Sequence, residues 1–168
     1  FDISGGDIAN EILPYMDYKE IESKDKIFWG YSDLTVILNA IYTKTGRMSA
    51  LYQIRMLTSQ DYENQIKNFS SSIINHTQDL FQFKYSFVQK NEMRGIVVGG
   101  NIRCFLKLAG TEYWPDMTGK ILLLESWSGD VPKMVTFLNQ YKQLNVFEKV
   151  AGILLGTFIQ MENDKCVP

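Results

Sequence analysis

The chain has 168 residues, 45% of them hydrophobic, with 17 Lys and Arg against 19 Asp and Glu and a single histidine. That length and apolar content suit one globular core or two small ones and exclude a disordered tail. The near-balanced charge, with no basic run longer than two, lacks the electrostatic footprint of a nucleic-acid binder, and no apolar run approaches the roughly 18 residues that span a bilayer.

In chain order, ISGGDIANEILPYMDY comes first. Ile3 leads into Gly5, Gly6 and Asp7, and then Ile8, Ile12 and Leu13 fall at helical spacing before Pro14. This predicts a strand end, a turn and a short helix. Ile27, Phe28 and Trp29 predict a short buried strand and Gly30 a tight turn. Leu34, Ile37, Leu38 and Ile41 share one face of a helix from about Asp33 to Thr45, with Lys44 in its last turn and Gly46 as its C-cap. Ser32 therefore sits where a strand hands over to a helix. Between Gln60 and Asn91 the pattern loosens into polar residues and scattered aromatics (Phe69, Phe81, Phe83, Tyr85, Phe87), with only QFKYSFV alternating well enough for a strand. That region reads as a connector or active-site loop.

The last part is regular again. GIVV predicts a strand, and Gly99-Gly100-Asn101 a turn into a helix whose face is Ile102, Phe105, Leu106 and Ala109, stopped at Gly110. KILLLE predicts a strand ending at Glu125, after which Asp130 caps a helix with Pro132 near its first turn and Met134, Phe137, Leu138 and Tyr141 on one face. AGILLGTFI predicts a further strand. Strands that are continuously apolar and alternate with helices call for an α/β fold, with largely parallel sheets flanked by helices.

Several residues carry candidate chemistry, each beside a plainer role. Serine and aspartate are favoured N-caps, so Ser32 and Asp33 can serve only to satisfy free backbone N–H groups. The functional alternative is a serine nucleophile on a sharp strand-to-helix turn, with the Asp33 N–H and the helix N-terminus holding a developing oxyanion. Gly5 and Gly6 can be turn residues, or can bring a second backbone donor to a substrate carbonyl. Gly99 and Gly100 read as a close approach of helix to strand. Glu125 ends a strand at the edge where α/β proteins place their sites, and there it either is solvated or orients a catalytic histidine. His76 lies in the irregular stretch and reads as a surface residue. Cys104 and Cys166 form neither a disulfide framework nor, with one histidine, a metal site. The sequons at Asn68 and Asn75 stand without any other secretory signal, and the chain is expected to be soluble and intracellular.

Three segments taken together, SGGDIANEILPYMDY, IFWGYSDLTVILNAIYTKTG and GGNIRCFLKLAGTEYWPDMTGKILLLE, resemble the LD-carboxypeptidase family of serine peptidases, which includes the microcin C immunity peptidases. The resemblance continues through FLNQYKQLNVFEKVAGILLGTF. It implies a two-domain cytoplasmic, homodimeric hydrolase with a Ser-Glu-His triad and no cofactor or metal. Its nucleophile matches Ser32, its triad glutamate Glu125, and its oxyanion-hole amides Gly6 and Asp33. Gly5 and Trp127 are expected to contact substrate, Trp127 by stacking. The family histidine lies beyond the matched segments and is not His76.

On this resemblance, residues 1–59 are the C-terminal part of a Rossmann-like nucleophile domain. Residues 60–92 are a connector or active-site loop region, and 93–168 a C-terminal α/β domain cut before the catalytic histidine. The chain departs from the family at MSALYQIRM, where a His-Gly-Pro-like turn is usual, and at Ser126-Trp127, where many members carry another acid. The expected substrate is a murein tetrapeptide losing D-alanine, or alternatively a peptidyl-aminoacyl-adenylate mimic on whose nucleobase Phe81, Phe83, Tyr85 or Trp127 would stack. The third possibility is a non-catalytic remnant, because the triad histidine is missing from the chain.

Overall fold

Every strand pairing among the described residues is parallel. The computed structural model describes residues 1–60 and 62–166, in two units: residues 1–52 together with the chain from Met93 onward, and Gln53–Glu92.

The first unit opens with an irregular segment whose Asp2 N–H donates to the Trp29 carbonyl at 2.8 Å, followed by a 3-10 turn over Ala9–Tyr15. The predicted strand end at Ile3 is not formed, and Ile3, Ile8 and Ile12 are exposed. Pro14 sits inside the turn and lacks the N–H that an α-helix would need, so the tighter helix forms and Leu13 alone is buried. Helix α1 (Tyr18–Ser23) is capped by Asp17, whose side chain accepts the Glu20 N–H.

Strand β1 is only Trp29–Gly30. It begins two residues later than Ile27, which is exposed, and Gly30 is a buried strand residue instead of a turn. A Cβ at Gly30 would lie 2.8 Å from the Leu34 side chain, so the glycine is there to let the next helix fold back against its own strand. The chain turns at Ser32, in a 3-10 turn over Ser32–Leu34 that runs into α2 (Thr35–Thr45). Residues Thr35 to Ile41 of α2 are all buried, and Gly46, at φ 70°, closes the helix as its spacing predicts. Strand β2 (Ala50–Leu51) then pairs with β1.

The second sheet has the order β3-β4-β5, from β3 (Val97–Asn101), β4 (Ile121–Ser126) and β5 (Gly152–Phe158). Gly99 and Gly100 lie inside β3 and do not form a turn; Asn101 marks the handover to α4 (Ile102–Leu106) and caps it by accepting the Cys104 N–H at 3.2 Å. Helix α5 (Val131–Gln143) starts at the Asp130 cap with Pro132 in its first turn, as the sequence predicts. A short α6 (Val146–Lys149) leads into β5, and α7 (Ile159–Asn163) follows it. The core joins Leu13, Leu34, Ile37 and Ile41 to Val98, Ile102, Phe105, Leu122, Leu124 and Tyr141. Phe105 stacks on Trp114 at 4.6 Å between ring centroids, and the Tyr141 hydroxyl donates to the Ile102 carbonyl at 2.8 Å.

The second unit is built on α3 (Tyr62–Ile74), which the sequence pattern does not announce. Its residues Ile66, Phe69, Ile73 and Ile74 are sparse, and three of the four remain exposed, so there is little periodicity to read. QFKYSFV forms no strand. Its rings instead meet edge to face, Phe83 against Tyr85 at 6.1 Å and Tyr85 against Phe87 at 5.6 Å.

Candidate active site

Ser32 adopts φ 56°, left-handed backbone that costs a non-glycine residue on the order of 1–2 kcal/mol. Tyr31 before it is fully extended, at φ −154° and ψ 174°. Of the non-glycine residues with positive φ among those described, only Ser32 stands between a strand and a helix. The capping role offered by its sequence is not the one taken. Tyr31 occupies the cap position of the 3-10 turn, no side chain caps that turn, and the Asp33 side chain is used elsewhere. A half-buried serine lifted out of a strand end on a strained turn, ahead of a buried helix, is the geometry that presents a hydroxyl for attack.

The Asp33 carboxylate is 1% exposed and faces away from the first turn of α2. It accepts the Ala9 N–H at 2.8 Å and pairs with the Lys107 ammonium. Burial pushes this carboxyl up, but the Lys107 contact, the Ala9 N–H, the Cys104 thiol and the Lys107 charge outweigh it and hold the group below the ordinary carboxylate range. Burial likewise pushes the Cys104 thiol up to about 12, so Cys104 is an inert core residue.

The Gly5-Gly6 loop is tied at both ends to the strand and turn that carry Ser32. Asp2 is bonded to Trp29 on β1 before the loop, and Ala9 to Asp33 after it. Gly6 has φ 129°, and a Cβ there would meet nothing within 4 Å, so its surroundings are open. Both glycines are exposed.

Glu125 lies next to the last residue of β4 and opposite Asn101 of β3. The Asn101 side chain, in register with Glu125 across the sheet, favours its charged form. Because the Asn101 carbonyl oxygen accepts from Cys104, its amide nitrogen is the donor left for the carboxylate. Burial raises the Glu125 pKa above its ordinary value, and the Asn101 side chain opposes that rise.

The serine turn and the Glu125 strand end are joined through α2. The Asn101 N–H donates to Thr35 Oγ1 at 3.1 Å, while the Asn39 side-chain amide answers both backbone groups of Gly99 at 2.9 Å each. Here α2 supplies the hydrogen bonds that another strand would give to an edge strand. Gly100 makes this approach possible, since a Cβ there would sit 2.9 Å from Thr35 Oγ1. That is the close helix-to-strand approach expected of the second glycine pair.

Ser32, Asp33, Gly5, Gly6 and Glu125 thus belong to one unit and one bonded framework. Trp127, just past β4, is in the same unit, 75% exposed. His76 belongs to the other unit, on an exposed turn after α3. Asn101, Thr35, Asn39 and Lys107 escaped the sequence reading. Of these, only Asn101 left a signal, as a cap three residues ahead of Cys104. Among the described residues no group of His, Cys, Asp and Glu could hold a metal ion, and no helix is long and apolar enough to cross a membrane.

The sequence profile of the LD-carboxypeptidase N-terminal domain matches residues 1–53, and that of the C-terminal domain residues 94–167. The chain is 28% identical over 184 residues to the microcin C7 self-immunity protein MccF of Escherichia coli, covering 90% of this chain and 54% of that one. It is 31% identical over 179 residues to a Treponema pallidum protein named "Putative carboxypeptidase", covering 92% and 53%. Among solved structures, MccF in complex with aspartyl sulfamoyl adenosine matches with a TM-score of 0.74 at 24% identity, over 94% of this chain and 57% of that one. The muramoyltetrapeptide carboxypeptidase from Oxalobacter formigenes matches with a TM-score of 0.71 at 24% identity, over 93% and 54%. Both structural likenesses are of fold. The chain spans about half the length of the curated relatives it matches. Two domain profiles, matched in order and together covering most of the chain, establish that this chain belongs to the LD-carboxypeptidase family of serine peptidases.

Proposed function

We propose that the protein carrying this chain hydrolyses an amide bond, releasing D-alanine from the L,D-tetrapeptide of murein in the cytoplasm, and that it acts as a homodimer. Ser32 attacks the carbonyl, and the N–H groups of Gly6 and Asp33 receive the oxyanion. Glu125 fixes the tautomer of the histidine that takes the serine proton, and stabilises its charge once protonated. In the family's pattern that histidine lies C-terminal to the motifs matched by Ser32 and Glu125, and it is not His76. The observation that carries the reading is the φ of 56° at Ser32, because a strained serine between strand and helix is costly and has no capping role to explain it. Residues 1–59 then form the nucleophile part, 60–92 the loop region and 93–168 the domain that brings Glu125.

A second substrate has its own support. Trp127, in the same unit as Ser32 and 75% exposed, is a ring suited to stacking on a flat ring system, and the MccF structure above is a complex with aspartyl sulfamoyl adenosine. A peptidyl-aminoacyl adenylate mimic would be cut by the same Ser32, with its nucleobase stacked on Trp127.

The full-length protein, offered both substrates with products read by mass spectrometry, separates these readings. Release of D-alanine by the wild type and not by Ser32→Ala supports the first. Cleavage of the adenylate mimic alone supports the second. Turnover undiminished in Ser32→Ala overturns both.

A further inference from the structure

We propose that the buried Lys107–Asp33 ion pair is the clamp that sets the Gly5-Gly6 loop in register with the serine turn, making Lys107 and the Asp33 carboxylate positioning residues for the oxyanion site. The inference rests on the reading of Ser32 as nucleophile. It gives the Asp33 side chain a task separate from that of its backbone N–H.

Three contacts build the clamp. The Lys107 ammonium, on a side chain 18% exposed, pairs with the Asp33 carboxylate and also donates to the Asp7 carbonyl at 2.7 Å. The other Asp33 oxygen accepts the Ala9 N–H. Arg103, one helical turn before Lys107 on α4, pairs with the Asp7 carboxylate. The short stretch from Asp7 to Ala9 is thus held by Arg103 of α4, by Lys107 just past its end, and by the residue that follows Ser32.

Among the described residues, Gly5 and Gly6 make no backbone hydrogen bond of their own. Both glycines are exposed, and neither would meet a neighbour even with a Cβ added. Left alone, a Gly-Gly pair samples more backbone than any other dipeptide, so an amide donor placed there needs an external restraint. A lysine and an aspartate out of solvent are kept only where geometry and further hydrogen bonds compensate for lost hydration. Here the compensating partners are the Asp7 carbonyl and the Ala9 N–H.

The test uses the full-length protein with Lys107→Met, Lys107→Arg and the double variant Lys107→Met/Asp33→Asn. The double variant leaves no unpaired buried charge, which keeps the test valid if Lys107→Met alone unfolds. The readouts are hydrogen exchange of the Ser4–Ala9 amides, the rate at which a fluorophosphonate modifies Ser32, and kcat and KM on the peptide. The clamp predicts faster loop exchange, and a fall of about 100-fold in both labelling rate and kcat, the scale of a misplaced catalytic group. KM should stay within about twofold, and Lys107→Arg should restore most of the loss. Wild-type loop exchange and labelling in a folded double variant would overturn it, leaving the pair a structural contact. If the wild type is labelled at Ser32 yet cuts no peptide, the substrate reading fails and the clamp is judged on exchange and labelling. If the wild type is not labelled, the nucleophile and the clamp fall together.

Discussion

At the scale of single residues, the chemistry depends on placing unfavourable features side by side. Ser32 bears backbone strain, Glu125 carries a charge that burial disfavours, and Asp33 carries one that burial disfavours and that the Lys107 ammonium and the Ala9 N–H restore. In the proposed mechanism Glu125 is ionised to steady a protonated imidazole, and its raised pKa means the ionised fraction is lost at a higher pH than for a solvated glutamate. The Asn101 amide is what keeps that rise in check. Asn101→Ser retains an oxygen able to cap α4 but loses the amide donor. The acidic limb of the pH profile of kcat/KM should therefore move to higher pH in Asn101→Ser with little change in melting temperature. An unmoved limb would mean that Asn101 does not govern the glutamate. In the sequence, Ser32 and Glu125 were legible because each stands at the end of an apolar run. Asn101 and Lys107 were not, because their partners are far along the chain, and a lysine near a helix C-terminus has an ordinary reading as a dipole partner.

Elements were most legible where one short signal decides them. Gly46 closing α2 and Asp130 opening α5 have local causes, a left-handed backbone in one case and a side chain meeting its own helix in the other. Asp130→Ala should lower stability by about 1 kcal/mol, as loss of an N-cap does, read as a shift of the denaturant midpoint at unchanged slope. A shift close to zero would show that α5 is held by the burial of Met134 and Tyr141 alone. The elements misread were those whose outcome depends on packing. Gly30 has the composition of a turn and the position of a strand, because Leu34 packs where its side chain would be. Gly99 and Gly100 look like a turn and serve as strand residues, approached from one side by Leu123 and from the other by Thr35. The stretch 82–88 alternates as a strand does, yet its residues are all exposed and its rings pair with one another. Alternation without a sheet to join predicts nothing.

For the molecule as a whole, the parallel α/β character was readable from continuous apolar strands set between helices, and all three strand pairings bear it out. How the serine turn and the Glu125 strand end are brought together was not readable. That junction is made by Thr35 and Asn39, polar residues on a helix face that hydropathy alone would count as solvated, but which are buried. The account therefore stands or falls on whether the framework they join presents Ser32 as a nucleophile. The most direct measurement is rapid quenching of the full-length protein during turnover of an activated peptide ester, followed by mapping of any covalent adduct by tandem mass spectrometry. The account predicts an acyl group on Ser32, formed faster than it is hydrolysed and absent in Ser32→Ala. An acyl group on any other residue, or full turnover by Ser32→Ala, would contradict it.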